Sequence, residues 1–310
     1  LEVEIMNFTM PDGDASDNVI ATLPGTVYPY EYVVIGGHYD SYSFSGAAPG
    51  ADDNASGTAG VMEIARILSN YEFERTIVFC AFSGEEYGLY GSAAYAQRSV
   101  NEDMNILGYF NMDMIGYLKP GHSTIMTSLI YPPSAQPLAD FYTDVTALYL
   151  PDFEVQAGNF TQGDSDHTSF NNNGYMGIFP FEDVNNYSPY IHTSDDLIGP
   201  SYNNQQQAVI FTKAILASAV TMAGIPAPAG ISENIRQSLI YPNPAHKELT
   251  VYLPAHQPAS VSITALSGQV LIQTNMVGTS RLKLPELTQG FYLLIIEGEN
   301  FREVHKLVIE

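Results

Sequence analysis

The chain has 310 residues, of which 34 are acidic and 11 basic, giving a formal charge of −23 at pH 7. Such an excess repels phosphate polymers and anionic lipid surfaces, which sets aside nucleic-acid and anionic-membrane binding. Hydrophobic residues make up 45% of the chain, enough to bury a full core, and the length suits one large domain with an appendage.

From the N-terminus, the chain opens on Leu1 with no basic-then-apolar leader, so a further N-terminal portion, including a signal peptide, is expected to precede it. No run of 18 apolar residues is apparent, so no membrane span is expected. Short β-branched and aromatic runs at Tyr32 to Ile35, Thr76 to Phe82, Ile106 to Met112 and Gly177 to Phe181 predict strands. Val61, Ile64, Ala65 and Leu68 recur at helical spacing behind Ser56 and Gly57, and further helices are predicted over Leu138 to Leu148 and Gln206 to Met222. Alternating strands and helices predict an α/β fold with a mostly parallel mixed sheet flanked by helices. The one cysteine, Cys80, lies inside a strand run and reads as a buried structural thiol.

The Ile-Pro-Ala-Pro-Ala-Gly stretch after Gly224 cannot continue a helix and predicts a linker over 225–237, between a catalytic domain at 1–224 and a tail at 238–310. The tail carries five basic and six acidic residues, so nearly all the acid excess lies before it. Its apolar residues alternate with period two: Leu249, Val251 and Leu253; Val261 and Ile263; Val270 and Ile272; Leu282 and Leu284; Phe291, Leu293 and Ile295. That pattern predicts a small antiparallel β-sandwich.

Polar residues follow each predicted strand of the larger part, where ligands sit in open α/β sheets. Gly36-Gly37-His38-Tyr39-Asp40-Ser41 follows the first; the short spacing makes Asp40 a candidate acceptor for the His38 ring N–H, though a plain polar loop reads as well. Asp52 and Asp53 precede the first helix, either as acids favoured by its dipole or as part of a site whose small neighbours admit a ligand. Glu85 and Glu86 are adjacent carboxylates that repel unless a cation or shared proton compensates, so one can bind a metal while the other handles protons. Asp113 sits in an apolar run where an unpaired charge is costly, and His192 follows a Tyr-rich loop. Oxygen and imidazole donors with no thiolate suit a hydrolytic metal pair better than a structural zinc.

From about Asn18 to Leu197 these motifs, together with Ser165-Asp166-His167, resemble the M28 family of zinc peptidases, the aminopeptidases related to bacterial leucyl enzymes. The resemblance implies two Zn2+ ions, one held by His38 and Asp113 and the other by Glu86 and His192, with Asp52 bridging them. It implies Glu85 as general base, Asp40 beside it in the catalytic set, a cis peptide between Asp52 and Asp53, and a structural role for His167. Met114, Phe181, Tyr187 and Ile191 align with the family's pocket for the first substrate side chain, implying apolar N-terminal residues of peptides as substrates. A carboxypeptidase or dipeptidase of the same family remains the alternative, with a glutaminyl cyclase-like acyltransferase or an inactive binding protein behind it. The sequence lacks the cysteine pair that one leucyl branch carries before Ser165. In the tail, Ile240-Tyr241-Pro242-Asn243-Pro244-Ala245, Leu266-Ser267-Gly268-Gln269, Gly290-Phe291-Tyr292 and Lys306-Leu307-Val308-Ile309 resemble the C-terminal sorting domain of type IX secretion. This implies the type IX machinery as a partner and a secreted or cell-surface protein.

Overall fold

The structure is a computed structural model that describes residues 1–158, 164–226, 238–253, 258–285, 287–298 and 302–309. The chain divides into two compact units, Leu1–Pro226 and Ala227–Glu310. The expected linker, beyond its first two positions, lies outside the described residues.

The first unit runs β1 (Glu2–Thr9), β2 (Ala15–Leu23), β3 (Tyr28–His38), α1 (Ala55–Leu68), β4 (Arg75–Phe82), α2 (Tyr90–Asn101) and β5 (Asn105–Asn111). It continues with β6 (Met126–Ile130), α3 (Gln136–Tyr149), β7 (Glu154–Ala157), α4 (His167–Asn172), β8 (Gly177–Phe181) and α5 (Gln205–Ala223). The eight strands form a sheet in the order β1-β2-β4-β3-β5-β8-β6-β7. Its centre is parallel, β3 pairing with β4 and β5, and β5 with β8. Antiparallel pairs flank it at β1–β2, β2–β4 and β6–β8.

Val33, Val34 and Ile35 of β3 are all buried because both sheet faces are covered, which is why the run is continuously apolar. Val33 and Ile35 pack with Val61 and Ile64 of α1, Leu138 and Tyr142 of α3, and Phe211 and Ile215 of α5. Val34 packs on the opposite face with Tyr95 of α2 and Phe170 of α4. The chain leaves β3 through α1 to β4 on one side, then crosses through α2 to β5 on the other. The carboxyl ends of these three strands therefore meet at a topological switch point, where open α/β sheets bind ligands.

Helix α5 is long and apolar enough to cross a membrane by length and composition alone, which does not contradict the expectation of no membrane span. Its Phe211, Ala214, Ile215 and Ala219 are instead buried in the core of this unit. Helix α1 begins at Ala55, two residues before its expected start, because Asn54 caps it by accepting a hydrogen bond from the Gly57 N–H at 3.0 Å.

The second unit contains β9 (Leu239–Tyr241), β10 (Glu248–Tyr252), β11 (Ala259–Ala265), β12 (Val270–Met276), β13 (Thr279–Lys283), β14 (Gly290–Glu297) and β15 (Arg302–Ile309). A three-stranded sheet β13-β10-β9 and a four-stranded sheet β12-β11-β14-β15 share a core of Leu249, Val251, Val261, Ile263, Leu294, Ile296 and Leu307. Strand β14 buries Tyr292, Leu294 and Ile296 and exposes Phe291, the reverse of the face marked by Phe291, Leu293 and Ile295. Its sequence is apolar on both faces, so period two alone could not choose between them.

Candidate metal centre

His38 ends β3 with only 1% of its side chain exposed. Its Nδ1 donates to the backbone carbonyl of Asp40 at 3.0 Å, and because a carbonyl only accepts, Nδ1 carries a proton and Nε2 is the nitrogen that a metal would take once the ring is neutral. Nε2 faces Asp53 Oδ1 and Asp113 Oδ1, both at 3.4 Å, and Glu85 Oε2 at 4.0 Å. The Asp40 carboxylate, expected to take the ring proton, lies 3.6 Å from Nδ1. Its oxygens accept instead from the N–H groups of Glu85 at 3.3 Å and Glu86 at 3.2 Å. Asp40 thus orients the Glu85–Glu86 turn with its side chain and His38 with its main chain.

The acid brought into the cluster from the loop before α1 is Asp53, and Asp52 is not. Asp53 turns Oδ1 to His38 and Oδ2 to His192 Nε2 at 3.2 Å. Asp52 points the other way: its Oδ1 accepts from the Gly116 N–H at 2.8 Å and its carbonyl accepts from Ser56 Oγ at 2.8 Å. The cis peptide joins Asp53 to Asn54, one residue later than expected. Asn54, which follows that bond, is the N-cap of α1, and Asp53 is the acid next to it. Asn54 also donates to the carbonyls of His38 and Met112 at 3.2 and 3.0 Å and accepts from the Met114 N–H at 3.3 Å. One side chain thereby joins the ends of β3 and β5 to α1. The close approach needs glycine: a Cβ on Gly37 or Gly57 would stand 2.2 Å from the Met112 carbonyl oxygen.

Glu85 and Glu86 follow β4 by way of Gly84, whose φ of +71° suits glycine. Glu86 Oε2 lies 2.8 Å from His192 Nε2. His192 itself has a φ of +57° and Met114, next to Asp113, one of +48°, conformations that non-glycine residues hold only when the surroundings enforce them. Asp113 Oδ2 accepts from Ser165 Oγ at 2.8 Å, Ser165 in turn accepts from Asn111 Nδ2, and Asn111 from the Tyr109 hydroxyl. His167 is buried beside the Phe179 ring, and burial pushes it down to about 4, so it stays neutral near pH 7.

Two imidazoles and four carboxylates thus crowd one largely buried cluster. Burial drives Glu85 well above its ordinary value, with Asp166, Asp113 and Glu86 adding to it and His38 opposing. Burial also raises Glu86. Burial works to raise Asp53 as well, but His192 and His38 overcome it and hold the carboxyl at about 2. Glu86 Oε1 and Asp113 Oδ1 are buried without a hydrogen-bond donor, a costly arrangement for carboxylates. Cations would relieve it. Donor atoms of His38, Glu85 and Asp113, and separately of His38, Asp53 and Glu86, lie within 4.8 Å of one another. The oxygen and imidazole donors fit divalent zinc.

Beside the cluster, Met114, Phe179 and Phe181 are buried together, with Tyr187, Ile191, Val184 and Ile130 packed against them. All four residues singled out for an apolar pocket are in this group, and Phe179 joins them. Sequence reasoning named the Asp52-Asp53 pair but took Asp52 as the ligand, and it gave no role to Asn54 or Phe179; a helix start placed at Ala55 from the Asn54 cap would have drawn attention to Asn54.

The sequence pattern described as Peptidase family M28 matches residues 18–216, and that described as Secretion system C-terminal sorting domain matches residues 239–310. A "Probable leucine aminopeptidase" of Trichophyton verrucosum is 34% identical over 58% of this chain and 50% of its own length. A "Probable zinc metalloprotease" of Pyrenophora teres f. teres is 45% identical over 34% of this chain and 24% of its own. The match therefore spans half or less of either curated relative. LapB from Legionella pneumophila superposes with a TM-score of 0.62 at 28% identity, covering 71% of this chain and 59% of that one. A glutaminyl cyclase from an Acidobacteriales bacterium shares the fold at a TM-score of 0.56 and 19% identity, covering 72% of this chain and 79% of that one.

Proposed function

The chain belongs to peptidase family M28, and on that premise we propose that it is a secreted di-zinc aminopeptidase that removes apolar residues from the amino ends of peptides. The observation that carries this reading is the Asp53 carboxylate, with one oxygen toward His38 and the other toward His192. In this reading His38 and Asp113 would hold one zinc ion and Glu86 and His192 the other, with the Asp53 carboxylate shared between them. Zinc held there supplies Lewis acidity, polarising a carbonyl and acidifying water.

The chain's own residues do the rest. Glu85 takes the proton of the attacking water and returns it to the leaving amine; its place beside His38 and Asp113, at the edge of the cluster, supports this. Asp40 fixes Glu85 and Glu86 through their N–H groups. The acid-rich pocket attracts a cationic N-terminus, and Met114, Phe179, Phe181, Tyr187 and Ile191 offer the first side chain an apolar surface. The tail's match to a sorting domain supports export through type IX secretion.

The test is hydrolysis of Leu-initiated peptides with free and with N-acetylated amino ends, before and after chelation. Cleavage of the free peptide only, lost on chelation and restored by Zn2+, is expected. Equal cleavage of the blocked peptide would favour the carboxypeptidase alternative, and indifference to chelation would remove the metal centre. The cyclase alternative has only the shared fold and is separated by cyclisation of an N-terminal glutamine.

A further inference from the structure

The turn that carries His192 carries a second acid, Asp196, which is 2% exposed. Its Oδ1 accepts from the N–H of Asp52 at 3.0 Å and its Oδ2 from the N–H of Asp53 at 3.1 Å. Its own carbonyl accepts from the N–H of Ala51 at 3.0 Å. Three successive peptide groups of the Asp53 loop therefore end on one residue. They precede the first turn of α1 and have no helical acceptors of their own.

We propose that Asp196 is a positioning residue that sets the Asp53 carboxylate between the two histidines and locks it to the turn bearing His192. This rests on the reading of the cluster as a metal centre. The physical case is one of leverage. Rotation of the Asp53 peptide would swing both carboxylate oxygens away from Nε2 of His38 and of His192, and a carboxylate gripping two consecutive N–H groups prevents that rotation by charge-assisted bonds. Asp53 and His192 face each other at 3.2 Å from segments far apart in sequence, so their separation has to be fixed by a cross-link. Asp196, four residues after His192, is that link. The His192 end is anchored as well, its carbonyl accepting from the Phe44 N–H at 3.0 Å. Asp40, partly exposed, grips the N–H groups of Glu85 and Glu86 in the same way, so the two sides of the cluster share one device: an acid holding the backbone beneath another acid.

Glu182 provides the comparison. It is also fully buried and accepts two backbone N–H groups, those of Tyr117 at 3.1 Å and Ser188 at 2.8 Å, but neither belongs to a residue of the cluster. Loss of a buried clamp in general and loss of this one in particular can therefore be told apart.

The experiment strips the full-length protein of metal and titrates it with Co2+, followed by visible absorption, alongside thermal unfolding of the metal-free samples. Asp196→Asn keeps the volume and one acceptor but turns an NH2 group toward the other N–H; Asp196→Ala removes both acceptors. Cobalt affinity is expected to fall by about 10- to 100-fold in Asp196→Asn, further in Asp196→Ala, and by less than either in Glu182→Gln, even where Glu182→Gln lowers the metal-free unfolding midpoint by as much. Wild-type uptake of Co2+ with unchanged affinity in Asp196→Asn would overturn the inference alone. So would Glu182→Gln weakening cobalt binding as much as Asp196→Asn. A wild-type protein that takes up no Co2+ would overturn the metal-centre reading and this inference with it.

Discussion

Loading the cluster with zinc is expected to release protons at pH 7, because the imidazoles must be neutral to bind. Without metal, hydrogen bonds to Asp53 and Glu86 push His192 up to about 10. Burial works to lower His38, but Asp113 and Glu85 carry it well above its ordinary value. A gap of about three units leaves roughly one His192 in a thousand neutral at pH 7, yet a metal takes only the neutral ring. Each proton displaced weakens binding about tenfold for every unit the pH falls. The pair should thus bind at least about tenfold more weakly at pH 6 than at pH 7 through the His192 proton alone. The same proton sets the stability of the metal-free protein. A group whose folded value is raised stabilises fully below its ordinary value, about 6.5 for histidine. That contribution is lost as the pH rises through about 10, so the metal-free unfolding midpoint should fall across this window and the zinc-loaded one should not. Calorimetric zinc titrations in buffers of different ionisation heat, with chelator competition at pH 6 and 7, give the proton count and the slope. A slope near zero would mean neutral imidazoles before metal arrives and would refute the electrostatic picture of the cluster.

Other outcomes follow from the same geometry. Glu85→Gln should retain both metals by elemental analysis while turnover falls about 10²- to 10⁴-fold, the usual share of a general base; undiminished turnover would assign the proton elsewhere. Asp53→Asn should lose tight binding of both ions, whereas Asp52→Asn, altering a side chain that only holds the Gly116 N–H, should keep them; the reverse result would restore Asp52 as the bridge. Ile191→Ala should lower the preference for Leu over Ala at the first substrate position by about tenfold in kcat/KM, and an unchanged ratio would detach the apolar cluster from substrate selection.

The parallel centre of the sheet was legible because β3, β4, β5 and β8 are covered on both faces and so read as unbroken apolar runs. The other elements gave weaker signals. Helix α2 buries Gly91, Ser92, Tyr95, Ala96 and Ser99, a face of mostly small residues with no apolar stripe to detect. Strand β1 pairs with β2 at the sheet edge and exposes Val3 and Ile5 as well as Glu2 and Glu4, so its apolar residues do not mark a buried face. In β14 the strand itself was visible but its orientation was not, because Phe291 to Ile296 are apolar on both sides and only packing against β11 and β15 selects Tyr292, Leu294 and Ile296 for the core.

The cluster was legible for a different reason: its residues stand at strand ends, and strand ends are fixed by hydrophobic patterns that sequence reveals. His38 closes β3, Glu85 and Glu86 follow β4 within four residues, and Asp113 follows β5 by two. Asp53 has no such marker. It stands before a helix, in a loop, so which of two adjacent acids faces the cluster depends on the path of that loop into the helix, which no period marks. Asn54 settles it with four hydrogen bonds, two of them to the carbonyls of His38 and Met112. Those partners lie 16 and 58 residues away, so the cap that decides the site is local in type but non-local in cause. Asp196 is harder still to foresee, since a Ser-Asp-Asp turn reads as solvated loop until the fold brings the N–H groups of Asp52 and Asp53, 144 and 143 residues away, against its carboxylate. Donor atoms can be read from motifs; what aims them is made by the fold.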